Sequence, residues 1–492
     1  MVQQSDTHER SQKRLIKNTL YLGIAQTATI PLSIVSNALL GRYLGPLEFG
    51  QLYVASTLCG FGALAFEWGQ TGAVPALVAR DRARAGIYLG TSLAWRSGMW
   101  LLVASALAAV CWLLGYERGV VLATTVLFPM TLIMSLNSGM NDTIRGLERA
   151  DISALVHVSQ QVVTLLAVIP VLLLGGHLTS VLSVQLAMVV VAALYLRRWL
   201  RPIGVGELRF ERGALNELIG LGTPFVFFNL AMVLLPNVNV SFLSKYAPVE
   251  VIGWFSVSQR LVGLIIFPAS SLVGALYPTL CRLQTEDADE FVRVTRNSLY
   301  GISLLAVPAA LGCGLFPELG VWVFGGEKFA GAVDQLRVMS LFVFLVYFSM
   351  PLGTCVMAAN RQRVWAIVQC GCVVVSLIGS PFLVPFFQRR MGNGAIGTCI
   401  TLVISEAFVV GCGLALAPRG LVNRELSKSL SLAAVAGAAM VGTAMLTEPI
   451  SIFLAVPAAL LAYALVAWAI GAVRPTTIDM ATGFIARKLK RS

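Results

Sequence analysis

Charge is the scarcest ingredient of this chain. Of its 492 residues only 12% are Asp, Glu, Lys or Arg, against 57% hydrophobic, whereas a soluble domain carries about 25% charged residues. Half the usual charge leaves too little polar surface to cover a globule of this length. The shortage is uneven as well: between Asp151 and Arg197 nothing ionises except His157 and His177. Several runs of this kind match the roughly 20 residues a helix needs to cross a bilayer. Other absences exclude whole classes. No ten-residue segments alternate polar and apolar positions, which excludes a β-barrel. The chain has no Gly-Lys dipeptide and so no phosphate-binding loop for ATP. H-E-x-x-H and G-x-S-x-G are missing too. Nine cysteines all lie in apolar segments, and Cys370-Gly-Cys372 lacks the second pair that a zinc site requires. Neither a metal nor a cofactor is expected, and nothing reads as an enzyme.

What is present is a set of long apolar runs punctuated by charge clusters. The first, Leu20 to Leu40, is too long for a signal sequence and reads as a retained span. The punctuation predicts an all-α integral membrane protein of 14 transmembrane helices: 18–40, 51–79, 87–114, 119–141, 152–174, 178–196, 218–243, 251–280, 297–317, 333–358, 364–387, 394–416, 429–447 and 450–472. With a cytoplasmic N-terminus, 27 of the 36 Lys and Arg fall on the cytoplasmic side and 6 outside, leaving Arg96, Arg260 and Arg337 within spans. That asymmetry is what the positive-inside rule demands, and it places both termini in the cytoplasm. Arg389-Arg390 alone resists, on an outside loop. The net charge of +12 is then explained by loop retention and by anionic lipid, with no need for nucleic acid. The tail TGFIARKLKRS fits this account, with Phe484, Ile485 and Leu489 in the interface and its basic residues among headgroups.

One connector is written twice. GRYLGPLEFG (41–50) and SKYAPVEVIG (244–253) share a basic residue, tyrosine, proline, glutamate and glycine in the same order. An offset of about 203 residues lays Arg42-Tyr43 on Lys245-Tyr246, Pro75 on Pro278 and Gln26 on Asn229. Spans 1–6 and 7–12 therefore read as two parallel six-helix repeats, followed by two C-terminal helices. Six is even, so both repeats enter the membrane in one direction, an architecture of transporters whose substrate binds between the halves. The predicted organisation is a tail (1–17), a first lobe (18–196), a cytoplasmic linker (197–214), a second lobe (215–416), spans 13–14 (417–472) and a basic tail (473–492).

With LGRYLGPLEFGQLYVA after span 1 and PVEVIGWFSVSQRL in the second half, the chain resembles the polysaccharide-type flippases of the multidrug/oligosaccharidyl-lipid/polysaccharide exporter superfamily. The resemblance covers spans 1–12, and its motifs are diffuse. It implies translocation of undecaprenyl-diphosphate-linked oligosaccharide, for O-antigen (lipopolysaccharide), capsule or exopolysaccharide, from the cytoplasmic to the outer leaflet of a bacterial inner membrane by alternating access. It also implies a cationic cavity for the anionic headgroup.

Ionisable residues at membrane depth are costly and mark function by default. Arg96 lies about nine residues into span 3, roughly 14 Å deep, and Arg260 is similarly deep in span 8. An arginine suits a diphosphate because its fork donates two parallel hydrogen bonds and keeps its charge. The competing reading pairs each arginine with a carboxylate or carbonyl of its own bundle. Glu67 and Glu406 are the candidates for coupling to a proton or sodium ion, or else sit in permanent ion pairs. Asn229 and Asn237 in span 7, with Gln26 and Asn37 in span 1, offer amides for sugar hydroxyls or for neighbouring helices. His157 is expected to pack rather than to relay protons. Asp287-Ala-Asp289 looks like a metal-binding motif of a sugar transferase, but stands in QTEDADE, where a solvated turn accounts for it. A membrane glycosyltransferase or polymerase is the distant rival, because every outside loop is short; a drug/cation antiporter of the same superfamily is the nearer one.

Overall fold

The structure, a computed structural model, describes residues 2–418, 420–421 and 423–472. Side chains are described from residue 29 onward, except 30, 150, 224, 227–236, 275, 278 and 285. The amphipathic tail expected at 473–492 and the side chains of Gln26 and Asn229 lie outside them.

Every regular element among the described residues is helical. The first unit contains α1 (Val2–Glu67), α2 (Gln70–Arg80), α3 (Ala85–Leu114), α4 (Arg118–Gly146), α5 (Ala150–Leu173) and α6 (Leu178–Leu200). Next come α7 (Arg212–Tyr246), α8 (Val249–Glu286), α9 (Ala288–Leu315), α10 (Pro317–Phe324) and α11 (Ala332–Ala358). The chain ends with α12 (Gln362–Met391), α13 (Gly394–Leu416), α14 (Arg424–Thr447) and α15 (Ile452–Ala469). Both copies of the repeated connector interrupt a helix. In α1 the break is Gly45, at φ 75° and ψ 177°, where Pro46 disfavours helical backbone in the residue before it and glycine tolerates positive φ. In the second copy α7 stops at Tyr246, and Pro248, extended at ψ 154°, precedes the first residue of α8.

Two compact units divide the chain, Met1–Ser244 and Lys245–Ser492. In the first, α1 packs on α4 and α5, and α4 on α2 and α6. Leu89, Ile144, Val156 and Leu196 tie α3 to α4, α5 and α6 in one buried cluster. This unit takes in α7 as far as Ser244, and in its first turns Ala214 and Leu218 pack among Ala73, Leu77 and Tyr88. Polar groups fasten the same end. Arg84 bridges Glu211 at 3.0 Å and Glu217 at 3.2 Å, and the Tyr88 hydroxyl donates to Glu217 at 2.7 Å. The segment joining α6 to α7 is therefore anchored on α3 rather than free.

In the second unit α11 is the central helix, packed on α8, α9 and α13. The α14–α15 pair joins through small residues: Ala436, Ala444, Ala455 and Ala459 are all but inaccessible, which lets backbones approach closely where lipid gives no hydrophobic drive. Tyr463 donates to the Leu304 carbonyl of α9 at 2.8 Å and holds the pair on its unit.

Among the described residues twelve helices are long and apolar enough to cross a membrane. The first, Pro31–Arg80, runs through two of the spans expected from sequence, and α7 is not among the twelve. The chain is thus an all-α membrane protein with about twelve spanning helices. Three local expectations are refined. Arg389 and Arg390 occupy the last turn of α12, not a loop; a basic residue there complements the helix dipole, and Arg390 stacks over Phe386 at 4.9 Å. Asp287 caps α9, accepting from the backbone N–H of Asp289 at 3.0 Å and of Glu290 at 2.9 Å, so the D-x-D is a helix start. His157 is exposed on α5 instead of packed.

Candidate functional site

The first unit holds its ionisable groups around a broken helix. α1 ends at Glu67, and α2 begins at Gln70. Between them Trp68 has φ 40° and Gly69 φ 65°. A tryptophan in the left-handed region is strained by something like 1–3 kcal/mol, and such strain persists only where the surroundings enforce it. Here the Trp68 ring meets Trp95 edge to face at 6.4 Å. Interrupted backbone at membrane depth is tolerated when it is buried in protein or lines a cavity.

Arg96 of α3 is the largest fully buried side chain of the described residues. Its Nη1 donates to the Ser135 carbonyl at 2.6 Å and to Ser135 Oγ at 2.9 Å. Its Nε reaches Gln70 Oε1 at 3.1 Å. Ser92, one helical turn before Arg96, also donates to Gln70 Oε1. Nη2 lies 3.9 Å from Asp142 Oδ2, close enough for attraction and too far for a hydrogen bond. That nitrogen and Gln70 Nε2 have no hydrogen-bond partner, and neither do Asn137 Oδ1 and Asn141 Oδ1 on α4. Glu67 and Asp142 are the two acids whose charge acts on Arg96. The guanidinium expected to meet a diphosphate is thus enclosed in its own bundle, where a headgroup has no approach to it in this structure.

Asp142 escaped the sequence reading. The predicted span stopped at residue 141 and left Asp142 to the loop, whereas α4 continues to Gly146 and buries it to 3% exposure. A signal was there: Ser135, Ser138, Asn141 and Asp142 recur at helical spacing and mark a polar face.

Arg260 is placed in the second unit, on α8, partly buried and engaged in an interaction there. Eleven residues separate it from Val249 at the start of α8, about 16 Å along the axis. Glu406 of α13 accepts a short hydrogen bond from Ser349 of α11. At the other end of α11, about 21 Å along the axis from Ser349, polar groups close a second network: Gln335 donates to Asn393 Oδ1 at 3.0 Å, Asn393 to the Gly331 carbonyl at 2.8 Å, and Ser258 to Gln335 at 3.0 Å. Glu67 and Glu406, paired as coupling candidates, therefore belong to different units. Of the amides expected to meet sugar, Asn37 donates back to the Ser33 carbonyl of its own helix at 2.8 Å. Asn237 is partly buried, and its amide nitrogen lies 3.4 Å from where a Cβ at Gly60 of α1 would stand. The described contacts do not bring Asn37 and Asn237 together.

A family model described as polysaccharide biosynthesis protein matches residues 15–284. Among solved structures, an inward-facing multidrug resistance MATE family transporter of the MOP superfamily is 17% identical, with TM-score 0.67, over 84% of this chain and 99% of that one. The lipid II flippase MurJ in an inward closed conformation is 12% identical, with TM-score 0.69, over 92% of this chain and 98% of that one. A MOP superfamily transporter from Pyrococcus furiosus is 17% identical over 82% of this chain and 94% of that one, with TM-score 0.55. No curated protein matches. Family and fold are those of a transporter and not of an enzyme, which removes the glycosyltransferase or polymerase reading. This chain belongs to the polysaccharide biosynthesis protein family and carries the fold of the MOP-superfamily transporters.

Proposed function

We propose that this protein flips an undecaprenyl-diphosphate-linked oligosaccharide repeat unit from the cytoplasmic to the outer leaflet of a bacterial inner membrane by alternating access. The family match carries the reading. A transport fold serving polysaccharide biosynthesis needs a cargo that must cross the bilayer, and a lipid-linked glycan is that cargo. Likeness in fold to a lipid II flippase supports it. Counting α1 as two spans at its Gly45 break and adding α7 to the twelve would give fourteen, an even number that puts both termini on one side, and the Lys and Arg asymmetry of the sequence favours the cytoplasm as that side. Arg260 supplies the permanent cation for the diphosphate, while Asn37, Asn237, Gln26 and Asn229 offer amides to sugars. Glu67 and Glu406 are the acids available for ion coupling.

A deletion strain should accumulate the lipid-linked oligosaccharide in the cytoplasmic leaflet. Returning Arg260→Lys should restore part of the surface glycan, and Arg260→Ala almost none, each normalised to protein in the membrane. Losing a charge-assisted phosphate contact costs roughly 1.5–3 kcal/mol, a tenfold to hundredfold loss of affinity. Normal glycan from a stable Arg260→Ala protein would remove this residue from the site. The fold it shares with a multidrug transporter favours a drug/cation antiporter as second reading. Hypersensitivity of the deletion strain to cationic dyes, with no lipid-linked glycan accumulating, would decide for it.

Orientation is tested separately. In a background freed of the nine native cysteines, a cysteine at Glu117 or Glu448 should react with an impermeant thiol reagent on intact spheroplasts, and one at Arg201 should not. Labelling at Arg201 contradicts the fourteen-span topology.

A further inference from the structure

We infer that the last turn of α6, with the segment that joins it to α7, is a binding site for the headgroup of an anionic phospholipid of the cytoplasmic leaflet, held by Arg197, Arg198 and Arg201. The site goes beyond the proposed function. It uses the cytoplasmic placement of this end of α6 and nothing about the cargo.

Three observations converge. The first is the face on which the arginines stand. α6 has 23 residues, about 34 Å at 1.5 Å per residue, little more than the roughly 30 Å of bilayer hydrocarbon. Its last turn therefore lies at the level of the headgroups. One stripe of the helix is exposed along its second half: Val190 at 37%, Val191 at 53% and Leu194 at 62%. Steps of three and four residues carry that stripe on to Arg197, Arg198 and Arg201, all exposed. Arg201 keeps helical backbone at the end of α6, with φ −63° and ψ −50°. The arginines thus end the strip of helix that faces acyl chains. A lipid lying along α6 brings its phosphate to them.

The second observation is charge. The acids of the surrounding segments are taken by other arginines: Glu207 by Arg209, Glu211 and Glu217 by Arg84, Glu148 by Arg82, and Asp151 by Arg149. Among the described residues that leaves Arg197, Arg198 and Arg201 without a carboxylate partner. Like charges three and four residues apart repel. The helix end offers about half a negative charge, which does not offset three cations, so the arrangement calls for an anion. Guanidinium forks donate two parallel hydrogen bonds to phosphate oxygens. Membrane insertion asks only that basic residues be numerous on this side. It does not ask that they stand on the lipid-facing stripe with every neighbouring acid already occupied.

The third is the apolar company the arginines keep. Tyr195 and Trp199 meet edge to face at 6.3 Å in the same turn, and such rings settle at the level of the headgroups. Past the turn, Val205 is buried against Leu196 and Leu200, which keeps the following segment beside α6. That segment is pressed onto α3. A Cβ at Gly86 would stand 2.6 Å from the Glu207 carbonyl oxygen, and one at Gly90 2.6 Å from the Arg209 nitrogen. Thr91 Oγ1 accepts the Glu211 N–H at 3.1 Å. Fixed in this way, the segment still leaves Leu208 and Phe210 exposed, at 46% and 55%. Such side chains gain by entering the interface beside basic residues. A free phosphate would use neither them nor the apolar stripe of α6; a phospholipid uses both.

The test uses the full-length purified protein in detergent and reads bound lipid by native mass spectrometry. The wild type should retain phosphatidylglycerol in preference to phosphatidylcholine with the same chains. Arg197→Gln, Arg198→Gln and Arg201→Gln together should weaken that binding about a hundredfold, at roughly fivefold per arginine, and the three lysine substitutions should keep part of it. An equal loss of charge at exposed positions of the second unit, Arg363→Gln, Arg424→Gln and Lys428→Gln, should leave it unchanged. Leu208→Ser with Phe210→Ser should weaken it without any loss of charge, and unaltered binding there overturns the part assigned to the segment after α6. Equal retention of the two lipids, or equal loss in the two glutamine variants, overturns the site. Displacement of the lipid by inorganic phosphate as readily as by phosphatidylglycerol overturns the lipid assignment. Should the first glutamine variant fail to reach the membrane, Arg201→Gln alone carries the same test at about fivefold. No arm involves cargo, so the site and the flippase reading fail separately.

Discussion

Leucine at Gly397 should destabilise the second unit more than an ordinary core substitution does. Gly397 is a buried residue of α13 lying directly on α12. A Cβ there would stand 2.5 Å from the Leu383 carbonyl carbon and 2.8 Å from the Val384 nitrogen. Both obstacles are backbone and cannot rotate away. Overpacking a core commonly costs about 1–3 kcal/mol, because flexible neighbours absorb part of the insult; here α12 and α13 must separate. The gain in helix propensity from removing a glycine is at most about 1 kcal/mol, so the clash wins. Thermal unfolding in detergent and abundance in the membrane should both fall for Gly397→Leu, and measurably for Gly397→Ala. Gly411, in the same helix, has open space around its missing Cβ, so Gly411→Ala should be neutral or slightly stabilising. Equal behaviour of the two alanine variants would mean that α12 and α13 do not approach as closely as described.

The same contrast shows what could be read from the chain in advance. Gly45-Pro46 and Pro248 are local signals, and both interrupt helices where the doubled connector says they should. The apolar runs are equally legible, because a helix in lipid must satisfy its backbone internally whatever its neighbours are. The break at Trp68 was invisible: nothing in Glu-Trp-Gly-Gln forbids a continuous helix, and the interruption depends on Trp95 and on the groups around Arg96. Asp142 was missed for a related reason. A hydropathy boundary ends a span where charge begins, but a charge that meets its partner inside the bundle does not end the helix. Arg96 is that partner, 46 residues away in sequence, and only tertiary packing joins them. The Glu406–Ser349 contact likewise spans 57 residues. Arg96 and Glu67 stood out as intramembrane charges, yet whether they face cargo or each other is a property of packing, which one sequence does not encode locally.

Removing the Arg96 side chain should therefore act first on stability and only then on transport. Arg96→Ala leaves Asp142 and Glu67 buried or half-buried without their cation, and strips donors from Gln70 Oε1 and from the Ser135 carbonyl. Breaking a buried pair by deleting one partner typically costs about 3–5 kcal/mol, enough to lower membrane abundance and the unfolding temperature together. Replacing a whole buried ionic set by neutral groups of similar volume is often close to neutral. The triple variant Arg96→Met, Asp142→Asn, Glu67→Gln should thus recover most of the lost abundance. Abundance is read by membrane immunoblot and stability by thermal unfolding, with surface glycan output measured on the same cells. An Arg96→Ala protein as stable as the wild type would mean that the guanidinium is not compensating buried carboxylates. A triple variant no more stable than Arg96→Ala would mean that the loss comes from packing around the side chain, not from stranded charge. If stability returns in the triple variant, the arginine is there to balance the acids that face it inside the membrane bundle, and the loss in Arg96→Ala is one of stranded charge.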